Sequence, residues 1–412
     1  MAGAPTAWLL FIIALIPRAF YVLYAGGAVG IAAGKDAVSY DQFARLMMSG
    51  WDWLATPLAV REPLYSAFMA LAYRLPGSEI GTLQLLQVLL GALAVVVLYL
   101  GLRSVILEGI AVVAALGVAL HPHFILYTPE PYRENLIIPL LAATLVLFLL
   151  SMKKRSITRM FFFAFFYALL VHTDVRFLPL VAIIPVMAYA YHRRMSDAMI
   201  STVWIWVFFM MFMVPYQVRG YMAMGKPVIV TERFLGKWMD RATSVSTERS
   251  DSTSADKRQA WLAKWERDRR ARLDDLSPLE RDYFNAGGRP SIERWKVHRD
   301  LFIEYWRFFQ TGPKYRPYPD GRFTKPWSRR HTMASSLVMV PFLLLFPFCF
   351  LGSSGRVRRV VCSLLVFYAF HCLMHVLVHA RERYRIPMEI ISAILIAVAL
   401  INLWQFFRRK VV

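Results

Sequence analysis

Long runs of apolar residues, separated by short polar segments, recur along most of the chain. Because a helix needs about 20 apolar residues to cross a bilayer, these runs predict ten transmembrane helices. They cover residues 6–25, 80–102, 106–127, 132–150, 160–173, 176–192, 199–217, 332–351, 360–379 and 385–407. The pattern therefore predicts an all-α polytopic membrane protein, and it excludes an ordinary soluble globular fold.

Two long polar segments interrupt the apolar pattern. In residues 26–79, Tyr40 and Phe43 share one helical face, and Pro63–Tyr73 is apolar but too short to cross. Both pieces predict helices that lie in the membrane interface. Residues 218–331 are polar with helical patterning, which predicts a small, mainly helical extracytoplasmic subdomain. The predicted organisation is an N-terminal transmembrane module (1–217), this subdomain (218–331) and C-terminal transmembrane helices (332–412).

The distribution of charge predicts the orientation. The 412 residues include 48 Lys+Arg and 27 Asp+Glu, a net charge of +21. Thirteen of the basic residues crowd the short loops on the side that holds both termini, and such loops are typically cytoplasmic. In a membrane protein this excess favours anionic lipid and phosphate-bearing substrates, not nucleic acid. We therefore expect cytoplasmic termini, no nucleic-acid partner, and both long segments outside.

Ionisable residues gather at the predicted outer ends of the spans. Each one costs free energy at membrane depth, about 2.5–3.5 kcal/mol at the bilayer centre and less near its edge. A single such residue is commonly an interfacial side chain that reaches water, but here several acids and arginines share one side. Acids beside fixed cations suit a general base next to a phosphate leaving group. The set is Asp36, Asp41, Arg61, Glu62, Glu130, Arg133, Glu134, Asp174, Arg176, Arg219, Arg381, Arg383 and Arg385.

Four motifs occur in a fixed order at these outer ends. They are Asp36-Ala-Val-Ser-Tyr40 with Arg61-Glu-Pro-Leu-Tyr65, then Arg133-Glu134-Asn-Leu136, Pro215-Tyr-Gln-Val-Arg219-Gly-Tyr221 and Arg383-Tyr-Arg-Ile-Pro387. Their order resembles the GT-C superfamily of membrane glycosyltransferases, in particular bacterial protein O-mannosyltransferases and aminoarabinose transferases akin to glycosyltransferase family 39. The chain departs from the family pattern at Ala37, where a second acid is usual, and at Glu62, which replaces a proline.

The resemblance implies transfer of a sugar from a polyprenyl-phosphate donor to an acceptor hydroxyl on the outer face of the membrane. The hydroxyl must lose its proton as it attacks the anomeric carbon, which requires a carboxylate within hydrogen-bond reach. Asp36 matches the family's base position; its alternative role is to cap the helix that follows. Glu134 matches the second acidic motif, which binds the acceptor or shapes the pocket.

Other residues of the motifs are candidates for substrate binding. The leaving lipid phosphate gains charge in the transition state, and arginine can bind its oxygens bidentately. The resemblance places Arg383 and Arg385 at the donor, and their spacing on a helix would let one of them contact the phosphate. Asp41 is a candidate with an alternative role, a helical pair with Arg45. The remaining candidates are Tyr40, Arg61, Glu62, Arg133, Arg219, His379 and Tyr384.

The histidine pattern does not favour a metal site. His371, His375 and His379 stand four residues apart on one face of the ninth span, but no carboxylate or thiolate at suitable spacing completes a zinc site. A lipid-phosphate sugar is a substrate, and it lacks the diphosphate that calls for Mg²⁺. We therefore expect no metal and no cofactor, histidines that line the donor groove, and an interfacial position for His121 and His123.

Two alternative functions remain open. A carrier or flippase of lipid-linked sugars would show inverted repeats and broken midplane helices, and neither is visible in the sequence. A non-catalytic partner in envelope glycan assembly is compatible with Ala37. An intramembrane Cys/His enzyme would need an outer-face nucleophile, whereas Cys372 lies near the middle of a span.

The expected location is the bacterial inner (plasma) membrane, with the active site on the periplasmic face. The expected partners are the donor, membrane lipid, and a glycan, glycolipid or protein acceptor.

Overall fold

A computed structural model describes residues 3–25, 35–48, 62–224, 230, 337, 339–351, 353–378 and 385–411. The described residues form helices joined by short turns and contain no strand, so the predicted all-α fold is confirmed. Almost all of the subdomain predicted over 218–331 lies outside the described residues. The same is true of four candidate site residues, Arg61, His379, Arg383 and Tyr384.

Short connections join the helices from Pro63 to Met224, and longer stretches of chain separate the first three helices from one another and Met224 from Met339. They are α1 (Ala4–Ala25), α2 (Lys35–Met48), α3 (Pro63–Arg74), α4 (Glu79–Arg103), α5 (Glu108–Ala119), α6 (Pro122–Leu126), α7 (Glu134–Lys154), α8 (Ile157–Thr173), α9 (Ile184–His192), α10 (Met195–Met224), α11 (Met339–Cys349), α12 (Gly355–Val378) and α13 (Glu389–Val411). Short 3₁₀ helices, Val175–Ile183 and Ile386–Met388, lead into α9 and α13.

The apolar runs correspond to the observed helices. Within the described residues, seven helical segments are long and apolar enough to cross a membrane, and α5, α8 and α11 are shorter apolar helices at the other three predicted spans. The third predicted span differs most, because α5 ends at Ala119 and Pro122 begins the separate α6. Proline lacks the N–H that would continue the hydrogen bonds of α5.

The two predicted interfacial helices are present and pack on each other. The Tyr40 ring of α2 meets the Tyr65 ring of α3 edge to face, with centroids 5.0 Å apart. The predicted helical pair on α2 is also confirmed, because Arg45 Nε lies 3.1 Å from Asp41 Oδ2. The Tyr73 hydroxyl donates to the other Asp41 oxygen at 2.9 Å. Asp41 therefore joins the two helices.

Arg18 is a wholly buried cation on α1. Its guanidinium donates to the carbonyl oxygens of Ala14 (2.8 Å), Val118 (3.1 Å) and Ala119 (2.7 Å). Val118 and Ala119 are the last residues of α5, where carbonyls lack helical partners and the helix dipole is negative. The arginine that interrupts the first apolar run thus caps a neighbouring helix.

Close contact between α4 and α7 near the end of α4 depends on Gly101. A Cβ at this position would overlap both methyl groups of Val146 and lie 2.8 Å from its Cβ. At Gly109 of α5 an added Cβ would make only an ordinary contact, 3.8 Å from Ile401 Cδ1.

We predict that Gly101→Ala destabilises the protein by about 1–3 kcal/mol through overpacking, whereas Gly109→Ala leaves stability within about 1 kcal/mol of the wild type. Unfolding of the purified proteins in detergent would measure the difference. Val146→Ala should partly rescue Gly101→Ala, since it removes the two overlapping methyl groups. Equal stability of the two glycine variants would contradict the close approach of α4 and α7.

Candidate functional site

Four charged residues from three parts of the chain meet at one end of the bundle. Glu62 precedes α3, Arg133 precedes α7, and Asp174 and Arg176 follow α8. Arg133 Nη1 lies 2.9 Å from Glu62 Oε2, and Arg133 Nη2 lies 3.5 Å from Asp174 Oδ2. Arg176 Nε lies 2.8 and 2.9 Å from the two Asp174 oxygens. We call these four residues the Arg133 cluster.

The starts of helices hold the cluster in place. Asp174 accepts a hydrogen bond from the backbone N–H of Arg176 (3.1 Å), and Glu62 Oε1 accepts one from the N–H of Val175 (3.4 Å). Burial alone would lower the pKa of Arg133, but the charges of Asp174 and Glu62 hold it well above its ordinary value. Burial would raise the pKa of Asp174, but Arg133 and Arg176 hold it well below its ordinary value. Arg133 and Asp174 therefore stay charged at neutral pH.

Buried amides fix the loop that carries Arg133. Gln87 on α4 donates to the carbonyl oxygens of Thr128 (2.7 Å) and Glu130 (3.1 Å), and Asn135 donates to the Glu130 carbonyl at 2.7 Å. Burial raises the pKa of Tyr65, so its neutral hydroxyl donates to Gln87 Oε1 at 2.8 Å. Glu130 lies in the loop between α6 and α7. Gln87 was not among the predicted site residues, although a polar amide inside the apolar run 80–102 is a sequence signal for a buried hydrogen-bonding role.

Glu134 stands apart from the other acids at this end of the bundle. Glu134 is buried, with 3% of its surface exposed to solvent. Among the described residues, its carboxylate nevertheless accepts no hydrogen bond and forms no ion pair. Its negative charge interacts electrostatically with the Arg133 guanidinium and the Tyr65 hydroxyl. The acids Asp41, Glu62 and Asp174 are all paired. Glu134, in the first turn of α7, therefore keeps its capacity to accept a hydrogen bond or a proton from a ligand.

Three other predicted site residues lie on α2 and α10. Tyr40 is buried against Tyr65. Arg219 is buried near the end of α10, with its guanidinium 5.9 Å from the centre of the Tyr216 ring. Asp36 lies in the first turn of α2, but its side chain is outside the described residues. Its role as a base therefore stays a prediction.

A second buried polar group lies where α13 begins, and it corrects one expectation. His121 and His123 are wholly buried instead of interfacial. His123 Nδ1 lies 2.8 Å and His121 Nε2 lies 3.1 Å from Glu389 Oε2, and Arg385 Nε lies 3.4 Å from Glu389 Oε1. Pro122 begins α6, and this carboxylate gives the His123 imidazole a hydrogen-bond partner inside the protein, whereas the nitrogens of His121 have none among the described residues. We call His121, His123, Arg385 and Glu389 the Glu389 network.

The network also bears on the arginine motif and on metal binding. Arg385 is fully buried, and its side chain is directed at Glu389. The two residues are four positions apart, the spacing at which side chains on a helix form a pair. The ligand atoms of His121, His123 and Glu389 lie within 4.8 Å of one another, close enough for a metal ion by position. Arg18 and Arg385 add positive charge beside His121, and this opposes a divalent cation. The absence of a metal stays a prediction.

Comparison with known proteins finds one family model that matches part of the chain and several structures that share its fold. Residues 55–218, less than half of the chain, match the family model of dolichyl-phosphate-mannose-protein mannosyltransferases. No curated protein matches the chain in sequence. One similar structure is the archaeal oligosaccharyltransferase AglB from Archaeoglobus fulgidus in complex with an inhibitory peptide and a dolichol-phosphate. It is 15% identical over 100% of this chain and 52% of its own, with a TM-score of 0.58.

Two further structures of the oligosaccharyltransferase from the same organism are similar. The apo form is 15% identical over 98% of this chain and 52% of its own, with a TM-score of 0.54. The complex with Zn and sulfate is 14% identical over 98% of this chain and 50% of its own, with a TM-score of 0.56. This chain thus spans about half the length of these structures. The resemblance to the GT-C superfamily is confirmed by the family model and by the shared fold.

We predict that Glu389→Gln destabilises the protein by about 3–5 kcal/mol, because it leaves the charge of Arg385 buried without its partner. The matched control is Glu108→Gln, at an exposed acid 3.9 Å from Arg103, and its cost should stay below about 1 kcal/mol. Denaturant unfolding in detergent measures both. Adding Arg385→Met to Glu389→Gln should recover part of the loss, and a loss no greater than that of the control would contradict the network.

Proposed function

We propose that this chain, which has the fold of the GT-C glycosyltransferases, transfers a sugar from a polyprenyl-phosphate-linked donor to an acceptor hydroxyl. The observation that carries the proposal is the unengaged carboxylate of Glu134 beside the fixed charges of the Arg133 cluster. A buried acid with no partner is costly in a membrane protein, and acids of this kind mark functional sites.

The general base that we propose is Asp36, four residues before Tyr40. Four residues on a helix correspond to a rise of about 6 Å, and Tyr40 packs on Tyr65, which feels the charge of Glu134. The start of α2 therefore lies at the same end of the bundle as Glu134. Two acids at one end fit a division of labour in which Asp36 removes the proton and Glu134 binds the acceptor.

The reaction balances with these groups alone. The acceptor oxygen attacks the anomeric carbon and forms the new glycosidic bond. The bond between that carbon and the phosphate oxygen breaks, and its electron pair leaves with the lipid phosphate. The hydroxyl proton passes to the carboxylate of Asp36, which later returns it to water.

The leaving phosphate needs a cation that is not already neutralised. Arg133 is held by two carboxylates, and Arg385 faces Glu389 in the interior. The resemblance places Arg383 at the donor, so we assign the phosphate contact in the closing motif to Arg383 and propose Arg219 as a second contact. Arginine suits this role because it stays charged and can bind two phosphate oxygens at once.

The two departures from the family pattern compensate for each other in this proposal. Position 37 is a fully buried alanine, so the second acid of the first motif is missing there. Glu62, which stands in place of a proline, supplies a carboxylate 2.9 Å from Arg133. An acid provided by a different part of the chain keeps the site charge in balance, and this favours an active enzyme over a non-catalytic partner.

The finer assignments belong to the same proposal. The site faces the periplasm, the protein resides in a bacterial inner membrane, and the acceptor is a glycan, a glycolipid or a protein. One AglB structure holds a peptide and a dolichol-phosphate, which supports a lipid-phosphate donor and leaves a protein acceptor among the candidates. No metal or other cofactor takes part.

We predict that Asp36→Asn lowers sugar transfer by at least about 100-fold, since a general base contributes about 10²–10⁴, while the donor lipid still binds. Glu134→Gln should mainly raise the KM for the acceptor. Glu108→Gln, at an exposed acid outside the site, is the control. Transfer of labelled sugar by purified protein, with thermal unfolding as a folding check, gives the comparison. Near-normal transfer by Asp36→Asn would remove Asp36 from the role of base.

The orientation has its own test. In a background without Cys349, Cys362 and Cys372, the three free cysteines, single cysteines at Ser252 and Lys154 are labelled with a membrane-impermeant maleimide. We expect label at Ser252 in intact cells and at Lys154 only after permeabilisation. The reverse result would place the proposed site on the cytoplasmic side.

A further inference from the structure

A group of basic residues lies at the end of the bundle opposite the Arg133 cluster. α7 joins the two ends: Glu134 begins it and Arg155 follows it, and its 21 residues give a length of about 31 Å. The group surrounds the end of α9, the start of α10 and the start of α12. We call Arg155, His192, Arg193, Arg356 and Arg359 the basic cluster.

Contacts and charges bring these residues together. The Arg359 guanidinium lies 5.6 Å from the centre of the Tyr191 ring. The positive charge of Arg356 is also close enough to interact electrostatically with the Tyr191 hydroxyl. The positive charges of Arg155 and Arg359 both interact electrostatically with the His192 imidazole. Asp197 is paired with Arg155. Several cations therefore share one region, and the only ion pair there among the described residues is the one between Arg155 and Asp197.

Part of this cationic group lacks a carboxylate partner among the described residues, although Arg193 donates a hydrogen bond to Cys362 Sγ at 3.6 Å. Within the described residues, Arg193, Arg356 and Arg359 form no ion pair with a carboxylate. The Nε of Arg359 and the Nε2 of His192 are buried atoms for which the described part of the chain provides no hydrogen-bond partner. Buried polar atoms are normally hydrogen-bonded, so these two atoms are exceptions, and an added acceptor beside Arg359 Nε would remove one of them.

The backbone at the same place is strained. Arg155 (φ 37°) and Arg193 (φ 61°) are the only non-glycine residues with positive φ in the described part of the chain. They end α7 and α9 in the left-handed conformation for which glycine is the usual residue. Both positions carry arginine instead, and strain of this kind is a reason to look for a function.

The neighbouring helix surfaces are apolar and exposed. Tyr189 on α9 and Met199, Ile200 and Val203 on α10 have between 42% and 54% of their surface exposed. They lie within about two or three turns of the basic cluster along helices that are long enough to cross a membrane. A ligand that fits this surface would thus have apolar chains that lie along α9 and α10 and an anionic group that contacts the basic cluster.

We infer that the basic cluster binds the phosphate of an anionic membrane phospholipid, with Arg356 and Arg359 as its main contacts. The acyl chains lie along the exposed faces of α9 and α10. A phospholipid is favoured over a soluble anion because the apolar surface continues directly into the cationic one. This site is independent of the proposed glycosyl transfer and lies at the other end of the bundle.

The test uses the purified full chain in detergent and native mass spectrometry with phosphatidylglycerol or phosphatidylcholine of identical acyl chains. We expect preferential retention of phosphatidylglycerol. Arg356→Gln and Arg359→Gln should each weaken this retention by about fivefold, as the contribution of one basic residue near a lipid phosphate predicts. Arg358→Gln, an exposed residue of the same helix, is the matched control and should retain wild-type binding.

Further measurements keep the outcomes distinct. If Arg359→Gln does not fold, Arg193→Gln replaces it, because Arg193 is exposed. Glycerol phosphate, a soluble headgroup, should not displace the bound lipid. The inference is overturned if both lipids bind equally, if Arg358→Gln weakens binding as much as Arg356→Gln, or if glycerol phosphate competes with the lipid.

Discussion

The constraint on which this structure depends is that a polar group removed from water must find its partner inside the protein. The apolar helices leave few places for charge, and several of the buried charges are matched by distant parts of the chain. Arg18 of α1 is satisfied by the final carbonyls of α5. Glu389 of α13 is hydrogen-bonded to His123, 266 positions earlier in the chain. These contacts fix the packing of the helices more specifically than interchangeable apolar contacts could.

The same constraint shapes the candidate site. Glu62, Arg133, Asp174 and Arg176 neutralise one another, so the cluster can remain charged at low cost and hold the starts of three helical segments together. Glu134 is next to this framework without joining it. A framework whose charges are already satisfied gives a neighbouring acid a fixed position and field while leaving its oxygens available. This arrangement distinguishes a residue that chemistry can use from residues that only support it.

The sequence predicted the elements well because apolar run length and proline placement are local properties. It also predicted the Asp41–Arg45 pair, since residues four apart on a helix must be neighbours. It did not predict the burial of His121, because Glu389 joins it only through tertiary packing. Asp174 and Arg176 were recognised as ionisable but not as partners of Arg133, for the same reason. Asp36, Arg61, His379, Arg383 and Tyr384 remain predictions, since the structure does not describe their side chains.

The two ends of the bundle handle charge in different ways, and the difference follows from what each end must bind. At the end with Glu134, described cations such as Arg133 are balanced by acids, which prevents them from holding a phosphate tightly. In the proposed transfer, this balance makes Arg133 a support for Glu134, while the phosphate contact falls to other arginines. At the opposite end, Arg356 and Arg359 have no acidic partner among the described residues. Unbalanced cations suit a ligand that stays bound, such as a structural lipid, and not one that is consumed.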